Sequence, residues 1–91
     1  MKIVYTKHAR KKFKMHRDVG IIITGKDVST TIKDPEHVDY ESDKPKTIAS
    51  KSLKEKLVLR VVFKTDNDII KVITFYPAQA GRYYENKKTK N

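Results

Sequence analysis

Residues 57–64 and 69–76 read LVLRVVFK and IIKVITFY, and residues 65–68 between them read TDND. Both longer runs are rich in β-branched and aromatic residues, which favour strands. A short polar segment between two such runs is typical of a β-hairpin loop. The sequence therefore predicts an antiparallel hairpin as the best-defined part of the fold.

The loop length predicts which side chains of this hairpin share a face. If Lys64 lies opposite Ile69, opposed residues point to the same side of the sheet. One face then carries Leu57, Leu59, Val61, Phe63, Ile70, Val72, Thr74 and Tyr76. The other face carries Val58, Arg60, Val62, Lys64, Ile69, Lys71, Ile73 and Phe75. We predict that the first set forms the core and that the second, with its three cations, forms a functional surface.

A four-residue turn at residues 52–55 would bring Lys51 opposite Lys56 and so extend this assignment to the preceding strand. The functional surface then gains Thr47, Ala49 and Lys51, and the core face gains Ile48 and Ser50. A shift of one residue would reverse every one of these assignments, because successive side chains of a strand alternate between faces.

The remaining pattern predicts two helices and further strands. Thr6 is the expected N-cap of the first helix, and residues 24–27 break the helical pattern before the second. The predicted elements are a strand over 2–5, a helix to about residue 17, a helix over 28–33 and strands over 36–40, 46–51, 57–64 and 69–76. This order predicts an α+β fold in which two N-terminal helices pack on one face of a small, mainly antiparallel sheet.

The chain of 91 residues fits one domain, predicted over residues 1–84, with a flexible basic tail over 85–91. There is no Cys, which excludes disulfides and thiolate zinc sites. Charges interrupt residues 1–13, so no signal peptide is predicted, and no apolar run is long enough for a membrane helix. We expect a cytoplasmic protein.

Charge is the strongest indication of a partner. The net charge is +10, and residues 1–17 hold seven basic and no acidic side chains. Four of them form a basic face on the first predicted helix: Lys7, Arg10, Lys11 and Lys14. Such a surplus on a small domain favours a polyanionic partner, and nucleic acid is the first candidate. The alternative is that abundant lysine serves solubility alone.

Signatures of cofactor chemistry are missing from the sequence. There is no glycine-rich phosphate loop, no Cys nucleophile and no HExxH motif. The three histidines, His8, His16 and His37, are not spaced as metal ligands. We therefore predict no metal site and no cofactor.

Cations and tyrosines are sufficient for one reaction, in which RNA is cleaved by its own 2′-hydroxyl. Arg60 is the expected group that stabilises the negative charge on the phosphorane. Lys71 or Lys51 is the expected base, because the pKa of a lysine falls readily beside another cation. Arg82 with Tyr83 or Tyr84 would position the scissile phosphate. Binding of RNA would add the basic face of the first helix and Lys64.

Each of these residues has a simpler interpretation. Arg60 is equally explained as an exposed side chain on a sheet that is solvated on one side. Tyr83 and Tyr84 are equally explained as anchors of the C-terminal segment. The sequence alone leaves these alternatives open.

Several segments together resemble a small family, described as a domain of unknown function, within the RelE-like toxin superfamily. The segments are Tyr5-Thr6-Lys7-His8-Ala9-Arg10 with Phe13 and Arg17, Ile32-x-x-Pro35-Glu36-x-Val38, Leu59-Arg60-Val61-Val62, and Lys71-Val72-Ile73-Thr74-Phe75-Tyr76-Pro77 with Arg82-Tyr83. The resemblance implies a sheet with two helices on one face and a basic site on the other. It also implies metal-free cleavage of messenger RNA, often on the ribosome, and an acidic antitoxin as partner. His8 and Arg17 enter as secondary catalytic candidates.

Three functions follow as hypotheses. The first is a metal-independent endoribonuclease of a toxin–antitoxin pair. The second is a noncatalytic RNA- or DNA-binding module that uses the same basic surface. The third is a protein-interaction domain whose cations receive an acidic partner.

Overall fold

The computed structural model describes residues 2–54 and 56–80. Its elements are β1 (Lys2–Tyr5), α1 (Lys7–Asp18), α2 (Gly25–Lys33), β2 (His37–Asp39), β3 (Thr47–Lys54), β4 (Leu57–Asp66) and β5 (Ile69–Gln79). The predicted tail over residues 85–91 lies outside the described residues. Within the described part of the chain, no helix is long and apolar enough to cross a membrane.

The five strands form one mixed sheet in the order β1-β5-β4-β3-β2. β1 runs parallel to β5, and the other neighbours are antiparallel. α1 packs over β5 and β1, and α2 packs over β4 and β3. The predicted α+β class, with both helices on one side of a mainly antiparallel sheet, is confirmed. We call the side under the helices the core face and the opposite side the second face.

α1 begins where the sequence predicts. The Thr6 hydroxyl accepts a hydrogen bond from the backbone N–H of Ala9, at 3.0 Å, and so satisfies one of the free donors of the first turn. On the apolar side of the helix, Phe13 packs between Tyr5 and Phe75, with ring centroids 5.5 and 4.7 Å apart. These aromatic contacts fix α1 to β1 and β5.

α2 begins at Gly25, three residues before the predicted start. Thr24 and Asp27 form a capping box: the Thr24 hydroxyl accepts from the Asp27 N–H, and the Asp27 carboxylate accepts from the Thr24 N–H. The polar residues that were predicted to break the helix therefore start it.

The β4–β5 hairpin has a tighter turn than predicted. Asp66 pairs with Ile69, and Asn67 adopts a positive φ of 56°, which asparagine tolerates well in a two-residue turn. The predicted pair of Lys64 with Ile69 is wrong, because Lys64 lies opposite Lys71. Since this shift is two residues, the side chains near the turn stay on their predicted faces.

A β-bulge reverses the far half of β5. Phe63 pairs with Val72 but Val62 pairs with Thr74, so Ile73 is an extra residue in β5. Beyond it, Phe75 pairs with Val61 on the core face, where its side chain is fully buried. The predicted core positions of Thr74 and Tyr76 are therefore wrong, because the extra residue turns both onto the second face.

The face assignments of β3 are also wrong. β3 extends to Lys54, and its register places Ala49 opposite Val61 and Ser50 opposite Arg60. Two residues separate the paired ends of β3 and β4, with an irregularity between Ser52 and Lys54, instead of the predicted four-residue turn. Thr47, Ala49 and Lys51 consequently belong to the core face, and Ile48 and Ser50 belong to the second face.

Both faces of the sheet contain buried residues. The main core between sheet and helices consists of Ala9, Ile23, Val28, Leu59, Val61, Val72 and Phe75. A second group of buried apolar side chains lies on the second face: Ile48, Val58 and Val62. This second group lies beside the polar residues of the same face.

Candidate functional site

Four side chains form a line across the second face. His37 pairs with Ser50, Ser50 pairs with Arg60, and Arg60 pairs with Tyr76. Paired residues of neighbouring strands point to the same side of a sheet, so the four side chains lie side by side. We call this set the cross-strand row. With strands about 4.8 Å apart, the Cα atoms of His37 and Arg60 are about 10 Å apart.

Arg60 is held by an aromatic ring within this row. Its guanidinium carbon lies 5.6 Å from the centroid of the Tyr76 ring, which is within cation–π range. Both side chains are half-buried. Because a guanidinium is planar and presents its N–H groups as a fixed fork, contact with a ring restricts the direction in which it can bind an anion.

Ser50 lies between Arg60 and His37 and is fully buried. Among the described residues, its hydroxyl oxygen has no hydrogen-bond partner. The buried Ile48, Val58 and Val62 surround the row on neighbouring positions of β3 and β4. The row is therefore flanked by apolar side chains, which lower the local dielectric and strengthen electrostatic interactions at the row.

His37 enters the row from the edge strand β2. The backbone next to it is fixed by a hydrogen bond from the Glu36 N–H to the Ser50 carbonyl, at 2.8 Å. The His37 side chain is half-buried. An imidazole is a side chain that can take up and release a proton near neutral pH.

Two further cations lie on the second face near the β4–β5 turn. Lys64 and Lys71 are directly opposite one another and both are exposed. Lys64 is four residues from Arg60 along β4, which is about 13 Å at the rise of an extended strand. Lys71, a predicted base beside Arg60, is therefore grouped with Lys64 and not with the cross-strand row.

Lys51, the other predicted base, lies on the core face. Its ammonium donates to the backbone carbonyl of Asp34 at 2.9 Å and to the Asp34 carboxylate at 3.2 Å. The sheet thus separates Lys51 from Arg60. Asp34 is the C-cap of α2. Because lysine side chains can hydrogen-bond the last carbonyl groups of a helix, this position explains the contact with Lys51.

The predicted basic face of α1 is exposed, as expected. Its residues are Lys7, Arg10, Lys11 and Lys14. Lys14 forms an ion pair with Asp18 at 2.9 Å. His8 and Arg17 are also exposed on α1, which packs on the core face. The structure therefore does not bring these helix residues together with the cross-strand row.

The sequence analysis missed three members of the row, and one of them, Ser50, was assigned to the core face by the predicted four-residue turn. It weighed His37 only as a metal ligand, although alternation through Val38 indicates that His37 and Asp39 share a face of β2. It placed Tyr76 in the core, because no signal in the sequence distinguishes a bulge at Ile73 from regular pairing. Arg82, Tyr83 and Tyr84 lie outside the described residues.

The second face offers a fixed cation, an imidazole and a buried hydroxyl in one line. Phosphates and carboxylates are the groups that such a planar cation binds through two parallel hydrogen bonds. Among residues 2–54 and 56–80, no three His, Asp or Glu side chains are grouped in a way that could hold a metal ion. No protein-family model, curated protein or solved structure matches this chain.

Proposed function

We propose that the protein is a metal-independent endoribonuclease that binds single-stranded RNA on the second face. The observation that carries the proposal is the cross-strand row, in which Arg60, held against Tyr76, shares a line with His37. The net charge of +10 gives such a surface long-range attraction for RNA.

Arg60 is assigned to the scissile phosphate. Attack on phosphorus adds negative charge to the non-bridging oxygens. A preorganised cation among apolar side chains stabilises that charge. Tyr76 restricts the guanidinium, so less conformational freedom is lost when the phosphate binds. The buried Ser50 lies between Arg60 and His37 in the register of the sheet.

His37 is assigned to proton transfer. In the proposed reaction the imidazole removes the proton of the 2′-hydroxyl, and the 2′-oxygen forms a bond to phosphorus. The bond from phosphorus to the 5′-oxygen breaks, and that oxygen takes up a proton from water, leaving a 2′,3′-cyclic phosphate and a 5′-hydroxyl. The imidazolium then returns its proton to the solvent.

The resemblance to RelE-like toxins supports the proposed function through the arrangement of the fold. A strand, two helices and a following run of strands, with the cations on the face away from the helices, is the arrangement that the resemblance implies. The substrate in that case is messenger RNA, free or on the ribosome, and the partner is an acidic antitoxin that neutralises the basic surface.

The test is cleavage of a labelled single-stranded RNA, and separately of messenger RNA on translating ribosomes, in excess EDTA. Wild-type protein should give products with 2′,3′-cyclic phosphate ends. Arg60→Gln and His37→Gln should each lower the rate by about 100-fold or more, whereas the core-face variant Lys51→Gln should cleave like the wild type. Circular dichroism checks that each variant is folded.

Two results would contradict the proposal. Folded wild-type protein that cleaves neither substrate would exclude the nuclease. Cleavage by Arg60→Gln at the wild-type rate would exclude the cross-strand row as its site.

A noncatalytic RNA- or DNA-binding module is the second candidate. It is favoured by Lys64 and Lys71, which are about 13 Å from the row and can contribute to binding without a role at the scissile phosphate. Salt-dependent binding of RNA without cleavage by the wild-type protein would identify this function.

A further inference from the structure

We infer that Lys64 and Lys71 form a second phosphate-binding position and that bound RNA runs along β4 and β5 from there to Arg60. The inference rests on the proposed function, because it assumes that RNA occupies the second face. It adds the path of the RNA across the second face and a minimum length of the RNA substrate.

The first argument is the register of the hairpin. Lys64 and Lys71 are directly opposite one another, so their Cβ atoms are about 5 Å apart. Like charges at opposed positions of a sheet destabilise it. None of the ion pairs among the described residues involves either lysine. A phosphate between the two ammonium groups would relieve this repulsion.

The second argument is the charge around the pair. On the second face, β1 places Val4 beside Lys71, and Val62 separates Lys64 from Arg60 along β4. Asp66 follows at the turn, opposite Ile69, on the side away from Arg60. Along β4, the next charged side chain of this face beyond Lys64 is therefore Arg60, and the Asp66 carboxylate lies at the outer end.

The third argument is distance. The pair and Arg60 are about 13 Å apart along the strand direction, which is too far for one phosphate to contact both. Phosphates of a stacked strand advance about 3.4 Å per nucleotide, so about four stacked steps, or fewer in an extended strand, span the gap. A dinucleotide can occupy only one of the two positions, whereas a hexanucleotide reaches both.

The experiment compares binding of two uncleavable probes, the dimer and the hexamer of 2′-O-methyl uridine. The proteins are wild type, the double variant Lys64→Gln/Lys71→Gln, Arg60→Gln, and a control that removes two exposed lysines of α2, Lys26→Gln/Lys33→Gln. Affinities are measured by calorimetry over a range of salt concentrations, and circular dichroism verifies folding.

For the hexamer, the Lys64→Gln/Lys71→Gln variant should lose one phosphate contact. The slope of log K against log salt should then fall by about 0.7 and the affinity at 0.1 M salt by about fivefold. The affinity for the dimer should change less than about twofold, and the α2 control should bind both probes like the wild type. Arg60→Gln should weaken both probes.

The alternatives give different results. If the double variant binds the hexamer like the wild type while Arg60→Gln weakens both probes, the second position is refuted and the proposed site stands. If only the lysine variant weakens binding, the cross-strand row is not the RNA site, and the path from the pair to Arg60 is refuted. If the wild type binds neither probe, both proposals are refuted.

Discussion

Replacement of Thr6 by valine should destabilise the protein more than the loss of a helix cap alone. The Thr6 hydroxyl accepts from the Ala9 N–H at 3.0 Å and donates to the Ile73 carbonyl at 3.0 Å. One hydroxyl thus caps α1 and holds the extra residue of the β5 bulge. Because valine has nearly the same shape, Thr6→Val removes both hydrogen bonds and leaves the packing almost unchanged.

The magnitude follows from the two bonds. Loss of a threonine N-cap costs about 1 kcal/mol. A hydrogen bond of the other kind contributes about 1 kcal/mol. Thr6→Val should therefore lower the free energy of unfolding by about 2 kcal/mol and the melting temperature by about 8–16 °C.

The chain contains a matched control at the start of α2. Thr24 caps that helix by accepting from the Asp27 N–H at 3.1 Å, and Thr24→Val should cost about 1 kcal/mol, or about 4–8 °C. Urea denaturation followed by circular dichroism measures both variants. Equal losses for the two variants would refute the claim that Thr6 stabilises the bulge.

Three further outcomes are expected. Phe75→Ala should cost about 3–5 kcal/mol in urea denaturation, because the ring is fully buried; a loss below about 1 kcal/mol would mean that Phe75 points to the second face. Lys51→Met removes the ion pair with Asp34, which is largely exposed on the Asp34 side, and should change the unfolding free energy by less than about 1 kcal/mol and leave RNA cleavage unchanged; loss of cleavage would return Lys51 to the site. Burial raises the pKa of Tyr5 above 10.0. The stability that the neutral Tyr5 side chain contributes is therefore complete below about pH 10 and is lost as the pH rises above that value. Tyr5→Phe should therefore lose less stability than the wild type between about pH 9 and pH 11, and parallel curves for the two proteins would contradict this.

The sequence predicts the elements of this fold better than their pairing. Thr6 identifies the start of α1, and the β-branched runs identify β4 and β5, because capping and strand preference depend on local chemistry. The faces of β3 and the far half of β5 depend on turn length and on one extra residue, Ile73. A strand alternates with a period of two, so a single-residue difference moves a whole set of side chains across the sheet.

The same physics explains which site residues were found. Arg60 lies on the second face as predicted, because the extra residue of the bulge belongs to β5 and not to β4, and its neighbours Leu59 and Val61 lie on the core face. Tyr76 was predicted in the core because the sequence does not reveal the bulge. Lys51 was assigned to the wrong face because the predicted turn between β3 and β4 was too long. His37 was missed because its position relative to Arg60 depends on two strand pairings, β2 with β3 and β3 with β4, and no local sequence pattern specifies either.

The central claim is that RNA binds on the second face, and NMR mapping tests it most directly. Nitrogen–proton correlation spectra would be recorded with and without the uncleavable uridine hexamer. The account predicts the largest changes at the amides of Ser50, Arg60 and Tyr76. Changes confined to α1, at residues such as Arg10 and Lys11, would contradict it.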